Sequence, residues 1–168
     1  MIAPKTFVTG AKRCENWEFS IDLYLENQPD DHSVNDWTSI FQVTGDGDSP
    51  QNLGYGIPGL FAKKHPINSD LVVLQFRNML DDGSGKNHGF NLNVDKFTWM
   101  NVKISEFDGL YSISIDNQVV SSRLNYFAQE RESVEVQMAK PTKANLEPTS
   151  GKYRSFEFDL CPTRNGKS

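Results

Sequence analysis

The sequence predicts an all-β protein, either a sandwich or a barrel, and three observations support this prediction. Apolar and polar residues alternate with a period of two in several short stretches, which is the pattern of a strand with one buried face. Turn-forming residues separate these stretches at regular spacing. No stretch keeps the helical period over three turns. Many short strands with turns between them are typical of sandwiches and barrels.

The first half of the chain contains predicted strands separated by polar or glycine-rich loops. Residues 1–13 are expected to form an irregular tail or a short edge strand. Residues 17–26 show the clearest alternation, with one apolar and one polar face, which suits the outer strand of a sandwich. Further strands are predicted at 38–43, 60–62, 71–76 and 90–94, with a long loop at 44–59 and a hairpin loop at 81–89.

The central stretch, residues 97–120, predicts an antiparallel meander. Apolar and polar residues alternate over 100–105, and Asp108-Gly109 then supplies a tight turn, because glycine accepts positive φ and aspartate tolerates it. The alternation over 111–116 gives the returning strand, which ends at a second turn, Asp116-Asn117. Later strands are predicted at 134–138 and 154–160.

The central stretch also resembles part of a known domain family. A tryptophan opening a strand, a turn, the pattern Y-x-I-x-I-D-N at 111–117 and a hydrophobic pair after it are similar to the centre of laminin-G-like and pentraxin-like domains. These belong to the concanavalin A-like lectin/glucanase superfamily. The order of elements agrees over 17–160, including an F-x-F strand at the end. The resemblance implies an antiparallel two-sheet jelly-roll sandwich.

The resemblance also implies a domain organisation and a covalent link. At 168 residues the chain has the size of one domain, which we place at 14–161, with tails at 1–13 and 162–168. The first and last strands of such jelly rolls lie side by side, so Cys14 and Cys161 could form a disulfide; the alternative is two ordinary thiols. We expect an extracellular protein whose leader is absent from this sequence.

Charge and composition argue against several classes of partner. The formal net charge is -5, and lysine and arginine are scattered rather than clustered. Nucleic-acid binding needs a concentrated basic patch, so no nucleic-acid partner is expected. No apolar run approaches the ~20 residues of a membrane helix, so no membrane insertion is expected.

The sequence disfavours catalysis by a carboxylate pair. Glycoside hydrolases of this superfamily carry Glu-x-Asp-x-Glu on one strand, which brings the carboxylates together on one sheet face. Here Glu18, Asp22 and Glu26 stand four residues apart, roughly 13 Å at the rise of a strand. We therefore interpret them as solvated outer-face residues and expect no enzymatic activity. A hydrolase with a displaced catalytic pair is the alternative.

The resemblance implies a Ca²⁺ site at the loop rim. Oxygen ligands from flexible loops suit calcium, although acidic turn residues also occur without a metal. The candidate ligands lie in two loops: Asp46, Asp48, Asn52, Asp81 and Asp82.

The loops also contain a candidate ligand surface. Aromatic, amide and basic side chains there are typical of sugar-binding and protein-binding sites, and equally of ordinary surface loops. The three tryptophans Trp17, Trp37 and Trp99 are expected in the core. We therefore expect an extracellular module that binds a glycan or a protein, or else a structural or adhesion module. The candidate ligand-binding residues are Tyr55, His65, Asn68, Lys86, Asn87 and His88.

Overall fold

A computed structural model describes residues 1–45, 58–79, 87–124, 131–139 and 147–162, with backbone alone for a few strand residues. All regular structure in these ranges is β-strand, as the alternation predicts. The strands are β1 Lys5–Arg13, β2 Trp17–Leu25, β3 Thr38–Gly45, β4 Gly59–Lys64, β5 Leu71–Met79, β6 Asn87–Asp95, β7 Trp99–Phe107, β8 Leu110–Ile115, β9 Gln118–Arg123, β10 Arg131–Met138 and β11 Gly151–Asp159.

The strands form two antiparallel sheets packed as a sandwich. The six-stranded sheet has the order β1-β10-β3-β4-β5-β6, and the five-stranded sheet has the order β11-β2-β7-β8-β9. This confirms the predicted jelly-roll sandwich. The N-terminal segment is an edge strand, because β1 pairs only with β10 in this sheet. β2 lies between β11 and β7, so it is an interior strand of its sheet.

The core lies between the two sheets and follows the period-two pattern. In β2 the five alternating side chains from Trp17 to Leu25 are buried, and the residues between them are partly exposed. Phe19 stacks on Phe41 of the opposite sheet with ring centroids 5.3 Å apart. Burying an aromatic side chain of this size contributes about 1.5–3 kcal/mol, so this contact helps to hold the two sheets together.

The predicted meander is present, and its turns have the expected backbone. Asp108 and Gly109 have φ of 50° and 76°, and Asp116 and Asn117 have φ of 49° and 65°. Positive φ at both central residues matches the right-handed twist of the flanking strands. The second turn lies at the same end of the sandwich as the start of β7, where the candidate site is found.

The predicted covalent link is also present. Cys14 and Cys161 form a disulfide with Cα atoms 4.9 Å apart, and the Cys14 N–H donates to the Leu160 carbonyl at 2.8 Å. The bridge lies where β2 begins and β11 ends, because these two strands pair antiparallel. Within the described ranges, no helix is long and apolar enough to cross a membrane.

Candidate ligand-binding site

A cleft of about 420 Å³ lies along one edge of the sandwich. The cleft lies there because β6 and β9 are the last described strands of their sheets, on the same side of the sandwich. Apolar side chains from both sheets form its floor. They are Leu92, Val94, Met100, Ile115 and Val120.

Trp99 stands at the rim of this cleft, so its predicted place in the core is wrong. Its side chain is 38% exposed, whereas Trp17 is fully buried as predicted. The reason is strand parity: Met100 points into the core, so the preceding residue must point outward. Trp99 pairs with Tyr24 on the outer face of the five-stranded sheet, with ring centroids 5.4 Å apart.

Polar side chains surround the tryptophan. Asp116 Oδ1 accepts a hydrogen bond from the Asn101 N–H at 2.8 Å, and the Asp116 N–H donates to the Asn101 carbonyl at 2.9 Å. This pair fixes the β8–β9 turn against β7. The remaining polar lining comes from strand ends and turns near the cleft: Asn93, Asp95, Thr98 and Gln118. An aromatic ring beside amide and carboxylate groups is suited to a polyhydroxylated ligand.

A hydrogen-bond network holds the outer side of Trp99 in place. Asn101 Nδ2 donates to Asp22 Oδ1 at 2.9 Å, and Arg154 Nε donates to Asp22 Oδ2 at 3.2 Å. The Asn101 hydrogen bond, together with Arg154, lowers the pKa of Asp22 below its ordinary value. The charged Asp22 therefore anchors Arg154, whose guanidinium carbon lies 4.4 Å from the centroid of the Trp99 ring.

The turn between β6 and β7 lies beside the cleft, which Asp95 and Thr98 help to line. Phe97 has a φ of 58° and is 56% exposed, and its N–H donates to the Leu25 carbonyl at 2.8 Å. The left-handed conformation costs a side-chain-bearing residue about 1–2 kcal/mol. Such strain persists only where the surroundings impose it, and it is common at binding sites.

A second depression, of about 310 Å³, contains two of the predicted ligand-binding residues. His65 and Asn68 line it together with Lys64 and Lys96. The predicted Tyr55 and Lys86 lie outside the described residues. Asn87 and His88 begin β6, where only their backbone is described; their side-chain roles stay predictions.

The predicted Ca²⁺ ligands lie outside the described residues, so the calcium site stays a prediction. This applies to Asp46, Asp48, Asn52, Asp81 and Asp82. In the part of the chain that the structure describes, no group of three or more His, Cys, Asp or Glu could hold a metal ion.

The carboxylates of β2 and of Glu26, the residue after it, each lie beside a cation. Glu18 is 2.8 Å from the Lys103 ammonium, Asp22 pairs with Arg154, and Glu26 is 3.6 Å from the Lys152 ammonium. Glu18 also faces Asp159 directly across the β2–β11 ladder, and with Glu157 they line a small depression of about 170 Å³. Asp159 Oδ1 accepts a hydrogen bond from the Cys161 N–H at 3.0 Å.

The outer face of the six-stranded sheet carries a second set of polar side chains. Gln137 pairs with Gln42, and Gln42 pairs with Gly59 in the next strand. Gln42 Nε2 and Gln137 Oε1 are buried and have no hydrogen-bond partner among the residues that the structure describes. Trp37 is partly exposed rather than in the core, with the Lys63 ammonium 4.7 Å from its ring centroid. Because both atoms are buried, neither is available to contact a ligand directly.

Comparisons with known proteins show the fold and nothing more specific. No family model and no curated protein matches the sequence. A heptameric pentraxin from Limulus polyphemus matches with a TM-score of 0.60 and 10% identity, over 94% of this chain and 69% of that chain.

Two enzymes have similar folds. The alginate lyase from Klebsiella pneumoniae matches with a TM-score of 0.59 and 10% identity, over 87% of this chain and 60% of that chain. The enzymatically active domain of tailspike protein 2 from bacteriophage CBA120 matches with a TM-score of 0.58 and 9% identity, over 98% of this chain and 25% of that chain. The chain therefore has a jelly-roll fold, as the resemblance in its central meander implied.

Proposed function

We propose that the protein is a non-enzymatic, extracellular recognition module that binds a glycan in the cleft between β6 and β9. The observation that carries this proposal is the exposed Trp99 ring beside the oxygen and amide groups of Asn93, Asp116 and Gln118. The C–H face of a sugar ring packs on an aromatic ring, and its hydroxyl groups bond to amides and carboxylates. The cleft thus offers a sugar both an aromatic platform and a polar rim.

The size and rigidity of the cleft support the same ligand class. Its volume of about 420 Å³ falls in the range of about 300–1,000 Å³ typical of small-ligand sites. Asp116 is held by two hydrogen bonds to Asn101, and Arg154 lies against Trp99. A site whose groups are already fixed loses less conformational entropy on binding.

An extracellular location is part of this proposal. The Cys14–Cys161 disulfide supports it, because disulfides persist mainly in oxidising compartments. The similar folds include alginate lyases and a pentraxin, but one fold hosts many functions, so the support for a glycan comes from the cleft itself.

The absence of catalysis is also proposed, against the hydrolase alternative. A glycosidase needs two free carboxyl groups at about 5–5.5 Å or about 6.5–9.5 Å. Glu18 and Asp159 are adjacent across two strands, but Lys103 neutralises the first and a backbone N–H engages the second. The Glu18→Gln variant tests the recognition module against the hydrolase. If the wild type releases reducing sugar and this variant does not, the hydrolase is favoured.

The cleft proposal is tested by a glycan array with wild type, Trp99→Ala and Leu110→Ala. We expect glycan binding to the wild type and about tenfold weaker binding after Trp99→Ala, because the aromatic platform is lost. Leu110 is the control: it is 41% exposed and lies at the opposite end of the meander, so its replacement should not change binding. Equal glycan affinity in all three proteins would refute the cleft as the binding site.

Calcium-dependent ordering of the loops stays part of the proposal. Asp46, Asp48, Asn52, Asp81 and Asp82 are its proposed ligands, because hard oxygen donors suit Ca²⁺. A metal that binds only the folded state raises the melting temperature. Melting should therefore occur at a higher temperature in Ca²⁺ than in EDTA. Identical melting would remove calcium from the proposal without affecting the cleft, which uses none of these residues.

A protein ligand is the second candidate, favoured by apolar exposure on the edge strand β9. Val119 is 64% exposed, and Leu124, just beyond the strand, is 72% exposed. Exposed apolar residues on an unpaired edge are suited to strand addition by a partner. A wild-type array without glycan hits, together with a partner whose binding is lost after Val119→Lys, would favour this candidate.

A further inference from the structure

The cleft and the second depression share one wall, the short segment 95–98. Asp95 and Thr98 line the cleft, and Lys96 lines the second depression. Phe97 lies between them, exposed and in the left-handed conformation, with its ring 6.4 Å from the Tyr24 ring. An oligosaccharide on Trp99 that extends across segment 95–98 would therefore enter the neighbouring depression.

The second depression contains two lysines without a carboxylate partner among the described residues. The Lys96 ammonium donates to Asn27 Oδ1 at 3.1 Å and to the Ser69 carbonyl, both neutral acceptors. Lys64 lines the same depression and forms no ion pair in the described part of the chain. Asp30 lies at the rim and is exposed, without an ion pair to either lysine. Among the described residues, no carboxylate therefore contacts either of these two positive charges.

His65 adds a neutral donor of fixed orientation. Its Nδ1 accepts hydrogen bonds from the backbone N–H groups of Ile67 at 3.2 Å and Asn68 at 2.9 Å. With Nδ1 acting as the acceptor, the neutral ring carries its proton on Nε2. Asn68 Oδ1 in turn accepts the Asp70 N–H at 2.8 Å, so the loop that carries the imidazole is itself held.

We propose that this depression binds the acidic group of an anionic glycan whose sugar rings occupy the Trp99 cleft. Two ammonium groups and an imidazole N–H form charge-assisted hydrogen bonds to a carboxylate or sulfate, and these are about twice as strong as neutral ones. The ligand is then an acidic oligosaccharide. This inference rests on the proposed glycan binding at the cleft and specifies the substrate class.

The test compares neutral, uronate-containing and sulfated oligosaccharides on one array, followed by calorimetry on the best acidic ligand and its neutral counterpart. The full chain is used as wild type, Lys64→Gln and Lys63→Gln. Lys63 is the matched control, because it is the adjacent residue of β4 and its ammonium lies over the Trp37 ring instead. We expect the acidic ligand to bind about fivefold tighter than the neutral one in 50 mM salt. Lys64→Gln should remove this preference, and Lys63→Gln should retain it.

The possible outcomes separate this inference from the function on which it rests. A preference for uronates or for sulfated sugars that Lys64→Gln removes supports the inference and identifies the acidic group. Equal binding of neutral and acidic ligands, or a preference unaffected by Lys64→Gln, overturns it and leaves the glycan cleft intact. A wild type that binds no glycan overturns both. Raising the salt to 300 mM should weaken the preference, because screening acts on the charges and spares the stacking.

Discussion

The two ends of strand β7 differ in the burial of their polar and aromatic side chains. Glu106, near the end of the strand, is fully buried, whereas Trp99, at its start, is 38% exposed. A carboxylate is thus in the interior and an indole at the surface, the reverse of their usual places. We call the end with the buried Glu106 the closed end and the end with the exposed Trp99 the open end.

At the closed end, buried polar groups compensate one another. Trp17 Nε1 donates to Glu106 Oε2 at 3.1 Å, and both side chains are inaccessible to solvent. Burial and the nearby Glu106 charge raise the pKa of Tyr111, so its phenol stays neutral. Arg13 is also buried, with its guanidinium carbon 5.9 Å from the Trp17 ring centroid. The Cys14–Cys161 bridge lies at this end as well.

At the open end, strain and exposed apolar surface are tolerated. Phe97 has positive φ, and the apolar floor of the cleft lies between two unpaired strand edges. Strained or exposed groups persist only when the rest of the structure is stable enough to hold them. The comparison indicates that the closed end provides stability on which the open end, with the proposed cleft, depends.

The largest effect is expected from removal of the disulfide. The Cys14→Ser/Cys161→Ser variant should lose about 4 kcal/mol of unfolding free energy, because the bridge closes a sequence separation of 147 residues. Guanidinium denaturation measures this loss. Glycan affinity, measured at a temperature where the variant is folded, should stay within twofold of wild type. A loss below about 1 kcal/mol would contradict the stabilising role of the closed end.

A smaller effect is expected from replacing one tryptophan at each end by phenylalanine. Trp17→Phe should cost about 2–4 kcal/mol, because it removes the indole donor to a buried carboxylate and leaves a cavity. Trp99→Phe should cost less than about 1 kcal/mol, because the ring is partly exposed. The two free energies of unfolding are compared by urea denaturation. Similar losses at both ends would show that the contrast between them has no energetic basis.

The sequence was sufficient for the strands and the turns, because both depend on local patterns. Positive φ at Asp108-Gly109 and Asp116-Asn117 follows from residue type. The alternation of side chains along a strand also predicts the orientation of Trp99, because an inward Met100 requires that its neighbour Trp99 point outward. The error lay in treating tryptophan as a core residue by type rather than by its position in the strand.

The cleft itself could not be predicted from the sequence. It exists because β6 and β9 end different sheets on the same side, and sheet order depends on long-range pairing that alternation does not encode. His65 and Asn68 were recognised as candidates by residue type. Lys96 was not, because it comes from a distant turn of the chain and only the fold brings it to the same depression.

The smallest effect concerns the network that joins the outer face to the cleft. The pKa of Asp22 is lowered from 3.8, first by the Asn101 hydrogen bond and then by Arg154. A carboxyl with a lowered folded-state pKa stabilises the protein above its unfolded-state pKa, and this stabilisation is lost as the pH falls through the folded-state value. Wild type should therefore exceed Asp22→Asn in stability at pH 6–7, by less than about 1 kcal/mol, and the difference should vanish as the pH falls below about 3.8.

Two further variants identify which contact is responsible. Asn101→Ala should remove more of this pH-dependent difference than Arg154→Gln, because the amide hydrogen bond is the larger cause of the lowered pKa. The free energy of unfolding of both variants is measured by denaturation at several pH values from about 2.5 to about 7, which spans the titration range of a carboxyl group. A larger effect from Arg154→Gln would mean that charge pairing, rather than the Asn101 hydrogen bond, keeps Asp22 ionised and Arg154 against Trp99.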